Sequence, residues 1–435
     1  MMRYSKPTAN PNFRRILGLL SLSLLLGLLV ACGDETATPA PAATTAKAVT
    51  TAAAAATTAS AASTTAAVAG AATSGDEIKI GVVVSATGPN ASLGAPQRNS
   101  LLLAQEQLNA KGGINGKKVN LVILDDESKD DLAASHIKKL INEEKVIAII
   151  GSSGSGPSLA MAPIAQESQI PMLSMGSTFK LMEPVQKWIF KSPPNDVLYW
   201  NQLFDFFKEK NYKKLALLHD SNAYGVSGKD FLQKLGPEKG FEITGVESYD
   251  SKAVDTKTQL TKLQASKPDA YIVWGTNPGP AIAAKNRSDL GIETPFFVSG
   301  GAANQQFLDV AGDAANGVYT GAGKILVSEA LPDGDPIKPL VSQYLKDYKA
   351  KFGSDSNQFG SFAWDNFNIL TAAIAKAGPD KAKIRDAIEQ TTGFAGTQAV
   401  YNYTAADHNG LEGNKTALVM ILVKDKKFSL QGVWK

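Results

Sequence analysis

The sequence predicts an α/β fold made of two domains with parallel sheets. Three observations carry that prediction. Short apolar runs recur through residues 77–298, each broken by glycine, serine, asparagine or proline. Segments with helical spacing of apolar residues separate those runs, as crossover helices separate parallel strands. The pattern then restarts after Pro193-Pro194, and 435 residues exceed one ordinary core.

In chain order, Ile78–Val84 reads as a strand that ends in Ser85-Ala86-Thr87-Gly88-Pro89-Asn90. Leu93–Lys111 places Leu101, Leu102, Leu103 and Leu108 at roughly helical spacing and stops at Gly112-Gly113. Val119–Leu124 is the next strand, followed by a helix near Leu132–Asn142. Two strand-to-loop transitions come next, in tandem. Val146–Ile150 breaks into Gly151-Ser152-Ser153-Gly154-Ser155-Gly156-Pro157, a helix covers about Ser158–Gln169, and Ile170–Leu173 breaks into Ser174-Met175-Gly176-Ser177-Thr178. Ligands of open α/β sheets sit beyond the carboxyl ends of the strands. Two adjacent ends that offer small hydroxyls and free N–H groups suit an anion, and a carboxylate is the simplest guest. The plainer reading is that such loops only turn the chain.

In the second half Asp196–Lys210 reads as a helix and Lys214–Leu218 as a strand ending in His219-Asp220-Ser221-Asn222-Ala223-Tyr224-Gly225. Strands at Phe241–Glu247, Asp269–Trp274 and Pro295–Val298 alternate with helices near Thr256–Ser266 and Ala281–Leu290. The last two strands open into Gly275-Thr276-Asn277-Pro278 and Ser299-Gly300-Gly301. Asp335–Gln390 is mostly helical and includes Phe362, Trp364 and Phe367, for which core packing is the plain alternative. From Thr397 the tail alternates like antiparallel strands, Ala417–Val423 and Phe428–Val433 about a charged turn.

Several chemistries are excluded. There is no Gly-Lys-Ser/Thr of a P-loop, no third glycine of a dinucleotide fingerprint and no G-x-S-x-G elbow. Adjacent His219 and Asp220 do not align readily as base and orienter of a triad. The acidic run Asp125–Asp131 lacks EF-hand spacing and suits a helix entrance. Cys32 is the single cysteine, which rules out an internal disulfide and argues against a thiolate metal cluster, so neither cofactor nor metal is expected.

Residues 1–31 carry Arg3, Lys6, Arg14 and Arg15, no acid, and the apolar run Ile16–Val30, the layout of a secretory signal too short to span a bilayer. Removing those four charges takes the formal charge from +3 to −1, which leaves no electrostatic footprint for nucleic acid. Leu29-Val30-Ala31-Cys32 resembles the lipobox of bacterial lipoproteins, so Cys32 is expected to be lipidated and to anchor the protein outside the cytoplasm. Residues 32–76 are then a disordered tether. Thr36–Gly75 is almost wholly Ala, Thr, Ser and Pro, with a coil span of roughly 35 Å.

Taken together, Thr87-Gly88-Pro89, Leu108–Gly116, Asp125-Asp126, Gly151 with Ser155, Ser174–Thr178, His219-Asp220 and Tyr224-Gly225 resemble the branched-chain amino acid type of ABC-transporter solute-binding protein. The resemblance implies the type I periplasmic binding fold: two Rossmann-like lobes joined by a three-segment hinge, with lobe 1 at 77–194 plus 324–396 and lobe 2 at 195–323 plus 397–435. It implies a non-enzymatic binder of an amino acid or other small carboxylate that serves an ABC permease. A ligand sensor for a signalling receptor, or an enzyme using the same cleft, are the alternatives. It places ligand contacts at Ser155, Gly176, Ser177, Thr178, Tyr224 and Phe362, with Trp364 nearby. Three positions depart from the family pattern: Leu93 and Asn277 stand where it has aromatics, and Gly300 where it has the acid that takes the ligand's ammonium. Asp220 and Asp365 are the candidate replacements for that acid.

Overall fold

The computed structural model describes residues 77–434. The expected signal segment, Cys32 and the expected tether lie outside the described residues. Two sheets, each with its own helices, form two lobes.

The first sheet has the order β2-β1-β3-β4-β5 and is parallel throughout. It comprises β1 (Glu77–Val84), β2 (Lys118–Asp125), β3 (Ile149–Ile150), β4 (Met172–Ser174) and β5 (Ile189–Lys191). Strand β1 is interior, paired with β2 and β3, and its Ile80 and Val82–Val84 are fully buried, which explains the unbroken apolar run. The connecting helices are α1 (Ala91–Ala110), α2 (Asp130–Asn142) and α3 (Ser155–Glu167). Two expectations shift here. Strand β3 is only two residues long, although Ile147 N–H and Ala148 O still bond to β1. Helix α3 starts three residues earlier than its apolar spacing suggested, with Gly154 as its extended N-cap. Short β5 lies in a stretch that was not read as a strand.

The second sheet has the order β14-β13-β10-β9-β8-β6-β7. Between α4 (Asp196–Glu209), α5 (Ala223–Glu238), α6 (Lys257–Ala265), α7 (Gly279–Asp289) and α8 (Gln305–Ala311) run β6 (Lys214–Asp220), β7 (Glu242–Tyr249), β8 (Ala270–Trp274), β9 (Phe296–Val298) and β10 (Val318–Gly323). These strands are parallel. Helices α9 (Lys338–Phe352), α10 (Gln358–Ala377) and α11 (Lys381–Glu389), and the small hairpin β11 (Phe394–Ala395) with β12 (Val400–Tyr401), follow. Then β13 (Leu418–Lys424) and β14 (Lys427–Val433) close the second sheet as an antiparallel edge.

The chain therefore passes between the lobes three times: after β5, after β10 and before β13. Helix α10 packs along α1, which returns that part of the chain to the first lobe. Helix starts follow local chemistry. Asn195, Asn222, Asn304, Asn357 and Asp380 each accept a backbone N–H as N-cap, and Gly353 ends α9 at φ 69°, a left-handed conformation suited to glycine.

Candidate functional site

The carboxyl ends of both sheets face a cavity of about 300 Å³ between the lobes. From the first lobe, β1 leads to Asn90 and Leu93, β2 to Ser128 and Asp130, β3 to Ser153–Pro157, and β4 to Met175 and Ser177. From the second, β6 leads to Ser221–Tyr224, β8 to Thr276 and β9 to Gly301. Phe359 in the first turn of α10 completes the wall.

The serine-rich loop after β3 divides its labour. Ser152 Oγ donates to the buried carboxylate of Asp126, and Ser153 Oγ accepts from Ser85 N–H at 2.9 Å. Ser158 Oγ donates to Ser152 O at 2.9 Å and accepts from Ser174 Oγ at 2.9 Å. Burial raises the Asp126 pKa against the pull of the Ser152 hydroxyl and the Ser128 N–H. These serines hold the loop, so the plain structural reading is right for them. Ser155 is different: it opens α3 on the cavity wall, and its Oγ accepts from Thr178 N–H at 3.2 Å. The amides of Ser155 and Gly156 precede the first intrahelical bond, from Ser158 N–H to Gly154 O, and have no acceptor within the helix, while the Asp130 carboxylate lies beside Gly156 in the same turn.

The structure brings Ser155, Ser177 and Tyr224 to the cavity. Tyr224 is 6% exposed and its hydroxyl has no hydrogen-bond partner. Gly176 and Thr178 lie just behind the wall. A methyl group at Gly176 would come within 3.0 Å of Ser158 Oγ, and Thr178 Oγ1 shares a 2.7 Å hydrogen bond with Ser227 of the other lobe. The other named residues do not line the cavity. Asn277 directs its Nδ2 to Ala302 O and Asn304 Oδ1 and braces its turn, while its neighbour Thr276 faces the cavity. Gly300 is packed under Tyr199, where a methyl group would meet two ring carbons and the hydroxyl oxygen at 2.5–2.6 Å, and Gly301 lies on the wall. Phe362 sits edge-on to Phe359, which takes the cavity position one turn earlier. Trp364 lies about 140° around α10 from Phe359 and packs against Tyr344 beside a separate groove.

The two candidate replacements for the missing acid are engaged elsewhere. Asp220 accepts from Asn222 N–H and Ser251 Oγ. Asp365 accepts four hydrogen bonds from Thr397, Gln398 and Tyr401. His219 turns its Nδ1 to the Asp220 carbonyl rather than its carboxylate. Sequence reasoning missed Asn90, Ser128, Asp130 and Phe359 as wall residues. The strand-end rule applied to β1 and β2 as well as β3 would have found the first three.

Beneath the wall, Lys191 Nζ donates to Ser177 O at 2.8 Å, and fully buried Asp196 accepts from Ser227 Oγ and Phe179 N–H. Burial lowers the lysine pKa and raises that of the carboxyl. Among the described residues no cluster of ligating side chains suits a metal ion.

A two-lobed α/β protein with a ligand-sized cavity at its strand ends is a binding protein in architecture. The chain belongs to the periplasmic binding protein family, whose model matches residues 77–423. A leucine-, isoleucine-, valine-, threonine- and alanine-binding protein of Pseudomonas aeruginosa is 25% identical over 75% of this chain and 86% of its own. Among solved structures, an extracellular ligand-binding receptor from Rhodopseudomonas palustris HaA2 is 30% identical, with a TM-score of 0.76 over 82% of this chain and 99% of that one. A leucine binding protein LivK from Thermotoga maritima follows at 25% identity and a TM-score of 0.72, over 82% and 99%. The fold is the type I periplasmic binding fold. The family consists of extracytoplasmic solute-binding proteins, which are not enzymes. Among the described residues no helix is long and apolar enough to cross a membrane.

Proposed function

We propose that this protein is a lipoprotein, anchored through Cys32, that captures an amino acid or other small carboxylate between its lobes and delivers it to an ABC importer. The observation that carries the reading is the interlobe cavity, where α1, α3 and α5 all begin at the wall and Ser155 and Ser177 add hydroxyls. Helix N-termini favour an anion by about 0.3–1 kcal/mol each, more when partly buried. The lobes take the boundaries 77–194 plus 324–396 and 195–323 plus 397–435, a division supported by the three passages between the sheets. Relatives that bind leucine, isoleucine and valine support the ligand class.

The test is a thermal-shift screen of the purified protein against amino acids and small carboxylates, with calorimetry on the hits. A ligand at 100 times its Kd stabilises by about 2.7 kcal/mol. Ser155→Ala is expected to weaken a hit by about tenfold through loss of a hydrogen bond to a charged group. If no compound shifts the melt, the carboxylate reading fails. Replacing Cys32 with alanine should release the protein from membranes, and retention would count against the anchor.

A further inference from the structure

The first passage between the lobes carries two buried charges. Lys191 ends β5 and Asp196 opens α4, with Pro193-Pro194 between them, and both charged residues are fully buried. A buried charge is costly unless it is hydrogen-bonded, so what each one holds is informative. Both reach the same short loop after β4. Lys191 Nζ donates to Ser177 O at 2.8 Å, and Phe179 N–H donates to Asp196 Oδ2 at 3.1 Å. Between those two loop residues, Thr178 reaches the same carboxylate oxygen through the other lobe. Its Oγ1 lies 2.7 Å from Ser227 Oγ, and Ser227 Oγ donates to Asp196 Oδ2. Three consecutive residues of the loop are thus held, directly or through Ser227, by the two ends of one crossing segment.

We propose that Asp196 is a positioning residue for the cavity: through Ser227 and Phe179 it fixes the Thr178 loop of the first lobe to α5 of the second, and so couples the angle between the lobes to the shape of the cavity wall. The inference rests on the reading of the cleft as a solute site, and Asp196 acts from behind it, since it does not line the cavity. The carboxylate sets the direction of the chain. Ser227 has one hydroxyl proton, which goes to Asp196, so Thr178 Oγ1 must donate to Ser227. Thr178 Oγ1 then keeps its lone pairs for Lys180 N–H, 3.2 Å away, which caps the short helical turn that follows. Both ends of the chain lie beside wall residues. Ser177 precedes Thr178, Thr178 N–H donates to Ser155 Oγ at 3.2 Å, and Tyr224 stands about one turn before Ser227 on α5. Pro193-Pro194 restricts backbone rotation in the crossing segment, so a change in lobe angle reaches Asp196 as movement instead of being absorbed locally. Charge-assisted hydrogen bonds are roughly twice as strong as neutral ones, so a carboxylate holds the loop more firmly than an amide of the same shape.

Hydrogen exchange on the unliganded protein and calorimetry with L-leucine test this together. Ser227→Ala lies in the second lobe, yet it should speed amide exchange of residues 177–180 in the first by about tenfold, with a smaller rise in Asp196→Asn. Asp196→Asn should weaken L-leucine binding by about tenfold, in line with loss of a hydrogen bond to a charged group, and should lose most of that effect when Ser227 is already alanine. An equal effect in both backgrounds would mean that Asp196 does not act through Ser227, and it overturns the proposal. So does exchange at 177–180 that neither substitution alters. Thr178→Val removes the other end of the chain and stands in for Ser227→Ala if that variant does not fold; it should then speed exchange in α5 around Ser227. If Asp196→Asn does not fold, exchange in the Ser227→Ala protein carries the test. If L-leucine does not bind the wild type, the amino acid reading of the cleft is what suffers, and exchange at 177–180 still decides the coupling.

Discussion

Asp365 illustrates how a residue that looks functional in sequence is committed to structure. It is 1% exposed, and Oδ1 accepts from Thr397 N–H at 2.7 Å and Thr397 Oγ1 at 2.8 Å. Oδ2 accepts from Gln398 N–H at 2.9 Å and Tyr401 Oη at 3.0 Å. The side chain thereby ties α10 to the segment that carries β12. Burial raises its pKa from 3.8 to about 6. The folded state then binds the proton more tightly than the unfolded state. The linked stability is fully present below about pH 4 and is lost as pH rises through about 6. The shift corresponds to about 3 kcal/mol. Asp126, Asp196 and Asp220 are raised in the same direction. Melting curves should show the wild type losing stability between pH 4 and 6.5, with a shallower slope in Asp365→Asn. Equal slopes would remove Asp365 from the account.

At the scale of elements, α5 shows why glycine recurs where a helix meets a sheet. Trp200 of α4 and Trp274 of β8 stack at 4.4 Å with an interplanar angle of 8°, and Trp200 Nε1 donates to Gly228 O at 3.0 Å. A methyl group at Gly228 would sit 2.2–2.4 Å from the Trp274 ring, which the stack prevents from moving away. Gly228→Ala is expected to cost about 2–3 kcal/mol as an overpacked core substitution. Gly334→Ala, where nothing lies within 4 Å, should stay within about 0.5 kcal/mol of the wild type. Urea unfolding of both variants checks this. A neutral Gly228→Ala would mean that α5 shifts freely on the sheet.

For the whole molecule, closure depends on contacts between the lobes that differ in burial. Gln358, fully buried at the start of α10, donates to Gly300 O at 2.6 Å and accepts from Gly323 N–H at 3.0 Å. Thr276 Oγ1 donates to Asn90 Oδ1 at 3.3 Å across the cavity mouth. The ion pair of Lys180 with Asp230 spans 2.8 Å, but its side chains are 39% and 35% exposed. Exposed pairs contribute about 0–1 kcal/mol, whereas a buried group left unpaired costs about 1–3 kcal/mol. For a ligand that binds the closed form, apparent affinity scales with the closed population and falls as that population falls. Gln358→Ala should therefore weaken binding by about tenfold and Lys180→Ala by less than about threefold. Calorimetry measures the affinities, and small-angle scattering should report a more expanded unliganded Gln358→Ala protein. The reverse ranking would place the latch on the surface.

The alternation of strands and helices was legible in the sequence because apolar periodicity is local: β1, β2, β6 and the β13–β14 hairpin lie where their runs predicted. The strand-end loops were legible for the same reason, since glycine and serine mark where a buried run stops. Which residue in each loop faces the cavity was not. Thr276 rather than Asn277, Gly301 rather than Gly300 and Phe359 rather than Phe362 reach the cavity. These choices turn on the rotation of each short loop or helix against the opposite lobe, and a rotation of one residue exchanges the inward and outward side chains. The filling of the Gly300 site by Tyr199, the engagement of Asp220 and Asp365, and the place of Asp130 at the cavity are likewise contacts between segments distant in sequence. Only the packed tertiary structure decides them, because burial and charge pairing depend on what lies across the cleft.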